Sequence, residues 1–295
     1  KKLDRNYGIS ENTNACLQMA EGDFIGLLDH DDLLHKNALA EVMFAAESQN
    51  ADFIYTDECV FESTPDKPIL IYYKPDFGMD TLRSYNYISH FVTFRSELLN
   101  KAGNFRIDFD CSQDYDIYFR LLEHAKKVVH IPKILYFWRS HSQSTATDIT
   151  LKSEILNKAK LALQEHLNRV GLDGKVTDSP ARGIYRVQYL INDKPLISIV
   201  IAQINKNDDI CFKSINEKSV YHNYEIIKVL GGASPKTYNE GIRRSNGKYI
   251  ILMSDNTEVI GDKWIEEMLM FAQRDDVGIV GCKLYYADNT ISHAG

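Results

Sequence analysis

The sequence predicts an α/β protein with a doubly wound, mostly parallel sheet flanked by helices. Two observations carry this. Short, continuous apolar runs bounded by turn residues alternate with longer amphipathic segments, which is the pattern of βαβ units. A stretch from the first part of the chain also returns in the second at a constant offset of 225 residues, from Asn14 to Asn239. Over that stretch Gly22 falls on Gly247, Phe24-Ile25 on Tyr249-Ile250, Leu27-Leu28 on Leu252-Met253 and Asp31 on Asn256. A repeat of this length predicts two copies of one unit.

Taken in order, Ser10 is placed to cap a helix running to about residue 20. Residues 24–28 then form an apolar run with no alternation, which suits a strand buried on both faces. It ends in Asp29-His30-Asp31-Asp32, and the next helix has Leu39, Val42, Met43 and Ala46 on its apolar face. Residues 52–56 are a second strand, ending in Asp57 and Glu58, and 62–87 are loop with short pieces. Residues 88–94 are a strand and 96–101 a short helix closed by Gly103. An acidic loop, 108–116, runs into a helix with Tyr115, Phe119 and Leu122 on one face. Residues 128–131 and 134–138 are two short strands parted by Pro132. A polar connection leads to a long amphipathic helix, 151–170, closed by Gly171. Residues 171–194 form a linker around one strand, 185–189. The pattern restarts with strands at 196–202, 224–230, 249–253 and 277–280.

This divides the chain into a first domain, 1–150, a helix and linker, 151–195, and the front half of a second domain, 196–295. By the offset, the first copy starts upstream of Lys1 and the second continues past Gly295. The expectation is a fragment of a tandem protein.

Composition narrows the function. A net charge of -7 argues against binding nucleic acid through bulk charge. Five widely spaced cysteines, Cys16, Cys59, Cys111, Cys211 and Cys282, with no Cys-x-x-Cys, favour reduced thiols in a cytoplasmic setting. No apolar run reaches the roughly 18 residues of a membrane span.

The chemistry is densest at residues 29–32. In open α/β sheets, ligands bind at the carboxyl ends of strands. Residues two apart on a strand point the same way, so Asp29 and Asp31 can offer oxygens to one hard cation. Mg2+ and Mn2+ take few protein carboxylates and bind phosphate oxygens with their other positions. The plainer alternative is an acidic turn that caps the next helix.

These residues resemble glycosyltransferase family 2. The matching words are Gly8-Ile9-Ser10, Ala20-Glu21-Gly22-Asp23-Phe24, Leu28-Asp29-His30-Asp31-Asp32, Tyr55-Thr56-Asp57-Glu58, Lys74-Pro75-Asp76, Ser112-Gln113-Asp114-Tyr115-Asp116 and Trp138-Arg139 with His141. Weaker matches in the second copy include Asn223-Tyr224-Glu225, Asn256-Thr257-Glu258 and Lys283-Leu284-Tyr285. The resemblance implies two tandem, incomplete GT-A domains of the kind used in bacterial cell-surface polysaccharide synthesis. It implies inverting transfer from a nucleoside diphosphate sugar to a glycan or lipid-linked glycan acceptor, with Mn2+ or Mg2+ bound. Asp29 and Asp31 correspond to the family's Asp-x-Asp metal motif, Asp31 being the stronger candidate. Asp114 matches the general base, and the alternative for it is a helix cap. His141 matches a late metal ligand or diphosphate contact, with an exposed loop histidine as the alternative. Trp138 and Arg139 fall on the donor side, Asp57, Glu58 and Gln113 on the acceptor side. The implied location is cytoplasmic, with a peripheral position at the inner face of the membrane as a variant.

In the second copy the acidic word has become Ser254-Asp255-Asn256, and asparagine is a poorer partner for a dication. A non-catalytic glycan-binding or scaffold module is therefore a competing reading. A phosphatase built on Asp-x-Asp is a third, but it leaves Ser112-Gln113-Asp114 and Trp138-Arg139 without a role. The isolated chain is expected to be weakly active or inactive.

Overall fold

The computed structural model describes residues 3–140, 149–204 and 210–294. It divides into two compact units, Lys1–Gln188 and Tyr189–Gly295.

The first unit opens with helix α1 (Ile9–Leu17), then strands β1 (Phe24–Leu27) and β2 (Leu33–Leu34) and helix α2 (Ala38–Ser48). Strands β3 (Phe53–Phe61) and β4 (Leu70–Tyr72), helix α3 (Met79–Leu82), strand β5 (Val92–Arg95) and helix α4 (Ser96–Ala102) follow. A 3-10 turn at Ile107–Phe109 leads to α5 (Gln113–Leu122), β6 (Val128–Arg139), α6 (Ile149–Arg169) and a two-stranded sheet of β7 (Gly174–Asp178) and β8 (Tyr185–Tyr189). The main sheet has six strands in the order β1-β5-β3-β6-β2, with β4 on β3.

This sheet is mixed, not mostly parallel. Only β3 and β6 run parallel; β1 with β5, β5 with β3, β4 with β3 and β2 with β6 are antiparallel. Strand β1 is correspondingly an edge strand with one buried residue, Ile25. An apolar run reports burial but not the direction of its partner. Strand β6 is one strand where two were expected. Its pairing with β3 shifts register between Thr56 and Glu58, opposite Pro132-Lys133, so the proline sits at an irregularity and the ladder continues past it. Residues 88–91 stay outside β5, and β5 starts at Val92. Helix α2 buries Ala38, Val42, Ala45 and Ala46, while Leu39, Met43 and Phe44 are exposed, so its core face is rotated from the expected one.

Helix α5 is buried on every side from Tyr115 to Leu122. Two charge networks tie it down. Asp116 accepts from Arg120 Nη2 at 2.7 Å and from Arg106, whose other arm reaches Glu165 on α6 at 2.7 Å. His166, fully buried on α6, stacks on Phe119 with ring centroids 4.4 Å apart. Its Nε2 accepts from Arg83 Nε at 3.3 Å, so Nδ1 carries the proton donated to Glu123 at 2.8 Å. Burial holds His166 below the usual imidazole range. Burial works against the Glu123 carboxylate, but His166 and Arg169 together hold it below its usual range. Both shifts have one sign. The fold prefers neutral His166 and ionised Glu123, so their contribution is complete above the unfolded-state values and is lost as pH falls. The melting temperature should fall as pH drops below about 6.5, where an unfolded histidine gains its proton. In His166→Gln that first part of the fall should vanish, leaving the carboxylate part at lower pH.

The second unit contains β9 (Ile197–Gln203), α7 (Ile210–Lys218), β10 (Tyr224–Leu230), α8 (Pro235–Arg243), β11 (Tyr249–Ser254) and α9 (Trp264–Ala272). Its sheet is parallel throughout, in the order β10-β9-β11. A small antiparallel pair, β12 (Leu284–Tyr285) and β13 (Ile291–His293), follows. The strand expected at residues 277–280 does not form. Ile279 is 93 % exposed there, and without a ladder partner an apolar run gains nothing from extension. Among the described residues no helix is long and apolar enough to cross a membrane.

Candidate functional site

Strand β1 stops at Leu27, so Asp29-His30-Asp31-Asp32 form a turn. Strand alternation does not orient these acids; hydrogen bonds to β6 do. Asp32 is buried, and its two oxygens accept from Tyr136 Oη at 2.5 Å and from the Arg139 N–H at 2.7 Å. Tyr136 Oη in turn accepts the Asp29 N–H at 3.3 Å. Arg139 Nε donates to the Asp31 carbonyl at 2.9 Å, and its guanidinium lies 4.5 Å from the Phe61 ring centre. Asp32 and Arg139 thus fasten the turn from below, while the Asp29 and Asp31 side chains remain 52% and 35% exposed.

Asp29 is the most perturbed acid of the group. Burial raises its pKa first, and the negative neighbours Asp32, Asp114 and Asp31 add to the rise. His90 opposes them, with Nε2 at 3.9 Å from Asp29 Oδ2. The ring of His90 is stacked on Tyr136 at 4.9 Å and meets Trp138 edge-on at 5.8 Å. Trp138 is half-buried and packs on the core formed by α2 and β6.

Asp114 is the second residue of α5. Ser112 holds the cap position, so Asp114 is not the cap. Ser112 donates instead to the Ile155 carbonyl of α6 at 2.9 Å. A carboxylate in the first turn is favoured by the helix dipole. Asp114 Oδ2 accepts one hydrogen bond from Asn86 Nδ2 at 3.2 Å. Beside it, Gln113 Oε1 is buried with no hydrogen-bond partner among the described residues.

Asp57 and Glu58 lie deeper than an acceptor contact would. Asp57 accepts from the Lys74 N–H at 2.9 Å and sits 2.8 Å from His130 Nε2. Glu58 accepts from Lys74 Nζ at 3.1 Å and from the His90 N–H at 2.8 Å. Both are 2% exposed. Their oxygens anchor the loop that leads to His90. His141 lies outside the described residues.

The structure therefore brings Asp31 and Asp114 within electrostatic reach of Asp29, with His90 facing Asp29 and Arg139 holding the Asp31 carbonyl. Asn86 and His90 are the additions that sequence reading missed. Each is a lone polar residue in an irregular loop, and neither spacing nor periodicity marks it. Among the described residues no group of three or more His, Cys, Asp or Glu is arranged to hold a metal. Asp29 and Asp31 nonetheless fit a Mg2+ or Mn2+ ion that takes one or two carboxylates and fills its shell with phosphate and water. They are accessible hard donors, and the crowding that disfavours ionised Asp29 is what a cation would relieve.

In the second unit Ser254 and Asn256 stand at the positions of Asp29 and Asp31, and the acid between them turns inward. Asp255 is buried and accepts the Ile204 N–H at 2.7 Å.

Residues 1–103 match the family model described as Glycosyl transferase family 2. The chain is 33% identical over 333 residues to the uncharacterized protein y4gI of Sinorhizobium fredii, covering 99% of this chain and 36% of that protein. It is 30% identical over 313 residues to the O-antigen biosynthesis protein RfbC of Myxococcus xanthus, covering 96% of this chain and 24% of RfbC. The chain thus spans about a third or less of either relative. Among solved structures, S. aureus TarS 1–349 in complex with UDP-GlcNAc is similar over 57% of this chain and 50% of that one, with a TM-score of 0.46 and 16% identity.

Proposed function

We propose that the first unit moves a sugar from a nucleoside diphosphate sugar onto a growing cell-surface glycan, with inversion at the anomeric carbon. The observation that carries this is the pairing of the family match with the placement of Asp29 and Asp114 against one short loop, Asp29 facing His90 and Asp114 accepting from Asn86. One carboxylate group is suited to the donor's diphosphate side, and a separate one, at a helix start, is free of capping duty.

In this reading Asp114 accepts the proton of the acceptor hydroxyl as its oxygen attacks the anomeric carbon. The bond from that carbon to the diphosphate oxygen breaks, and its electron pair leaves with the diphosphate. Attack on the face opposite the leaving group inverts the centre. Asp29 and Asp31 would hold the cation, with Arg139 fastening the Asp31 backbone carbonyl. A bound Mg2+ or Mn2+ supplies Lewis-acid stabilisation of the charge on the departing diphosphate. Trp138 shields the donor side. A glycosidase would need two carboxyls flanking one bond. Here the acids divide between a donor side and an acceptor side.

The second unit repeats the order of the first, with α8 and β11 followed by α9 as α1 and β1 are followed by α2. We take it as a second, GT-A-like unit in a tandem protein working on the cytoplasmic side of the membrane. Ser254 and Asn256 in place of Asp29 and Asp31 favour a non-catalytic role for it.

Calorimetry with uridine diphosphate and Mn2+ tests the donor side. Binding should be metal-dependent and at least tenfold weaker in Asp31→Ala, since hydrogen-bond and charge interactions of this kind are worth more than about 1.4 kcal/mol. Equal binding by both proteins, with and without metal, would contradict the assignment.

A further inference from the structure

The loop from Asn86 to His90 touches both sides of the proposed site. Asn86 donates to Asp114 Oδ2, and His90, four residues later, faces Asp29. Between them the Ser89 carbonyl accepts from Tyr118 Oη at 2.7 Å, one helical turn along α5 from Asp114. The far end of the loop is tied inside the fold. Lys74 Nζ donates to the Ile88 carbonyl at 2.5 Å and to the His90 carbonyl, while Glu58 takes the His90 N–H. Five hydrogen bonds thus fix a short irregular segment to β3, to the loop that carries Lys74 and to α5. Ser89 is held at a φ of 43°, a left-handed conformation that a non-glycine residue keeps only where its surroundings impose it.

We propose that Asn86 is a positioning residue for Asp114, and that the Asn86–His90 loop sets the base and the donor-side carboxylate in register. This rests on the reading of Asp114 as general base. The physical case is that a carboxylate on the first turn of a helix can swing between rotamers. A single amide donor, itself on a clamped loop, selects the rotamer in which one oxygen is occupied and the other is presented to the acceptor hydroxyl.

The test uses the full protein with Asn86→Ala, Asn86→Asp and Asp114→Ala. Asn86→Asp keeps the shape but replaces the donor by a second acceptor. Positioning predicts a fall in kcat of roughly 10- to 100-fold in Asn86→Ala, with donor KM and uridine diphosphate affinity within about twofold of wild type. Asn86→Asp should be no better than Asn86→Ala. A parallel loss of kcat, nucleotide affinity and melting temperature would mean that Asn86 only supports the fold and would overturn the proposal. A double-variant cycle gives a readout that needs no turnover. Asn86→Ala and Asp114→Ala should be non-additive in melting temperature, because each removes the same contact. Additive shifts overturn the proposal even if transfer is observed. Clear coupling in a protein that transfers nothing would retain the contact and overturn the base reading instead.

Discussion

Replacing Asp114 by asparagine should reduce sugar transfer about a thousandfold, within the range expected for removing a general base. Uridine diphosphate binding should be nearly unchanged. Asparagine keeps the size of the side chain and its place in the first turn of α5, but cannot take up the acceptor's proton. Asn86 would lose its charged acceptor yet keep a carbonyl to donate to. Steady-state transfer and calorimetry on the same preparations separate the two effects. Transfer within a few fold of wild type would remove Asp114 from the chemistry. Loss of binding together with transfer would place it on the donor side.

The largest expected effect on stability comes from Lys74→Met. The Lys74 and Glu58 side chains are both buried and lie 3.1 Å apart. Burial pulls the Lys74 ammonium below its usual range, and Glu58 opposes that shift. Removing the lysine leaves Glu58 buried without its cation and strips donors from the Ile88 and His90 carbonyls. Breaking a buried pair on one side costs about 3–5 kcal/mol. In a unit of this size that lowers the melting temperature by roughly 10 °C. The double change Lys74→Met with Glu58→Leu should recover part of the loss, since two apolar residues leave no uncompensated charge. Urea or thermal unfolding of the three variants measures both quantities. A single-variant loss under about 1 kcal/mol would show that water reaches the pair.

Much of this was readable from the chain before its structure. The acidic word at 29–32 stood out because three carboxylates follow an apolar run, a combination with few purely structural uses. Which acid turns inward was not readable. Asp32 is spent on Tyr136 and Arg139, more than a hundred residues away, and nothing local distinguishes it from Asp29 or Asp31. Asp57 and Glu58 illustrate the same limit. Acids at a strand end look alike whether they meet solvent or a buried lysine, and Lys74 comes from a loop with no periodic signal. Three of the four strands expected in the second unit form, at 197–203, 224–230 and 249–254, because βαβ units leave a repeating trace. The first unit's sheet departs from its expected parallel pattern, because antiparallel neighbours such as β5 carry no mark of direction. Helix α2 was assigned an apolar face on residue type, yet its alanines pack inward and Phe44 outward, since close approach to the sheet favours small side chains.

The central claim is metal-assisted transfer from a nucleotide sugar at the acids of the first unit. The most direct test incubates the full protein with a panel of nucleoside diphosphate sugars and candidate glycan acceptors, with Mn2+ or with chelator, beside Asp31→Ala. The account predicts nucleoside diphosphate release and labelled glycan from at least one donor, both lost with chelator and in Asp31→Ala. Transfer that persists in Asp31→Ala, or that ignores the chelator, would contradict it.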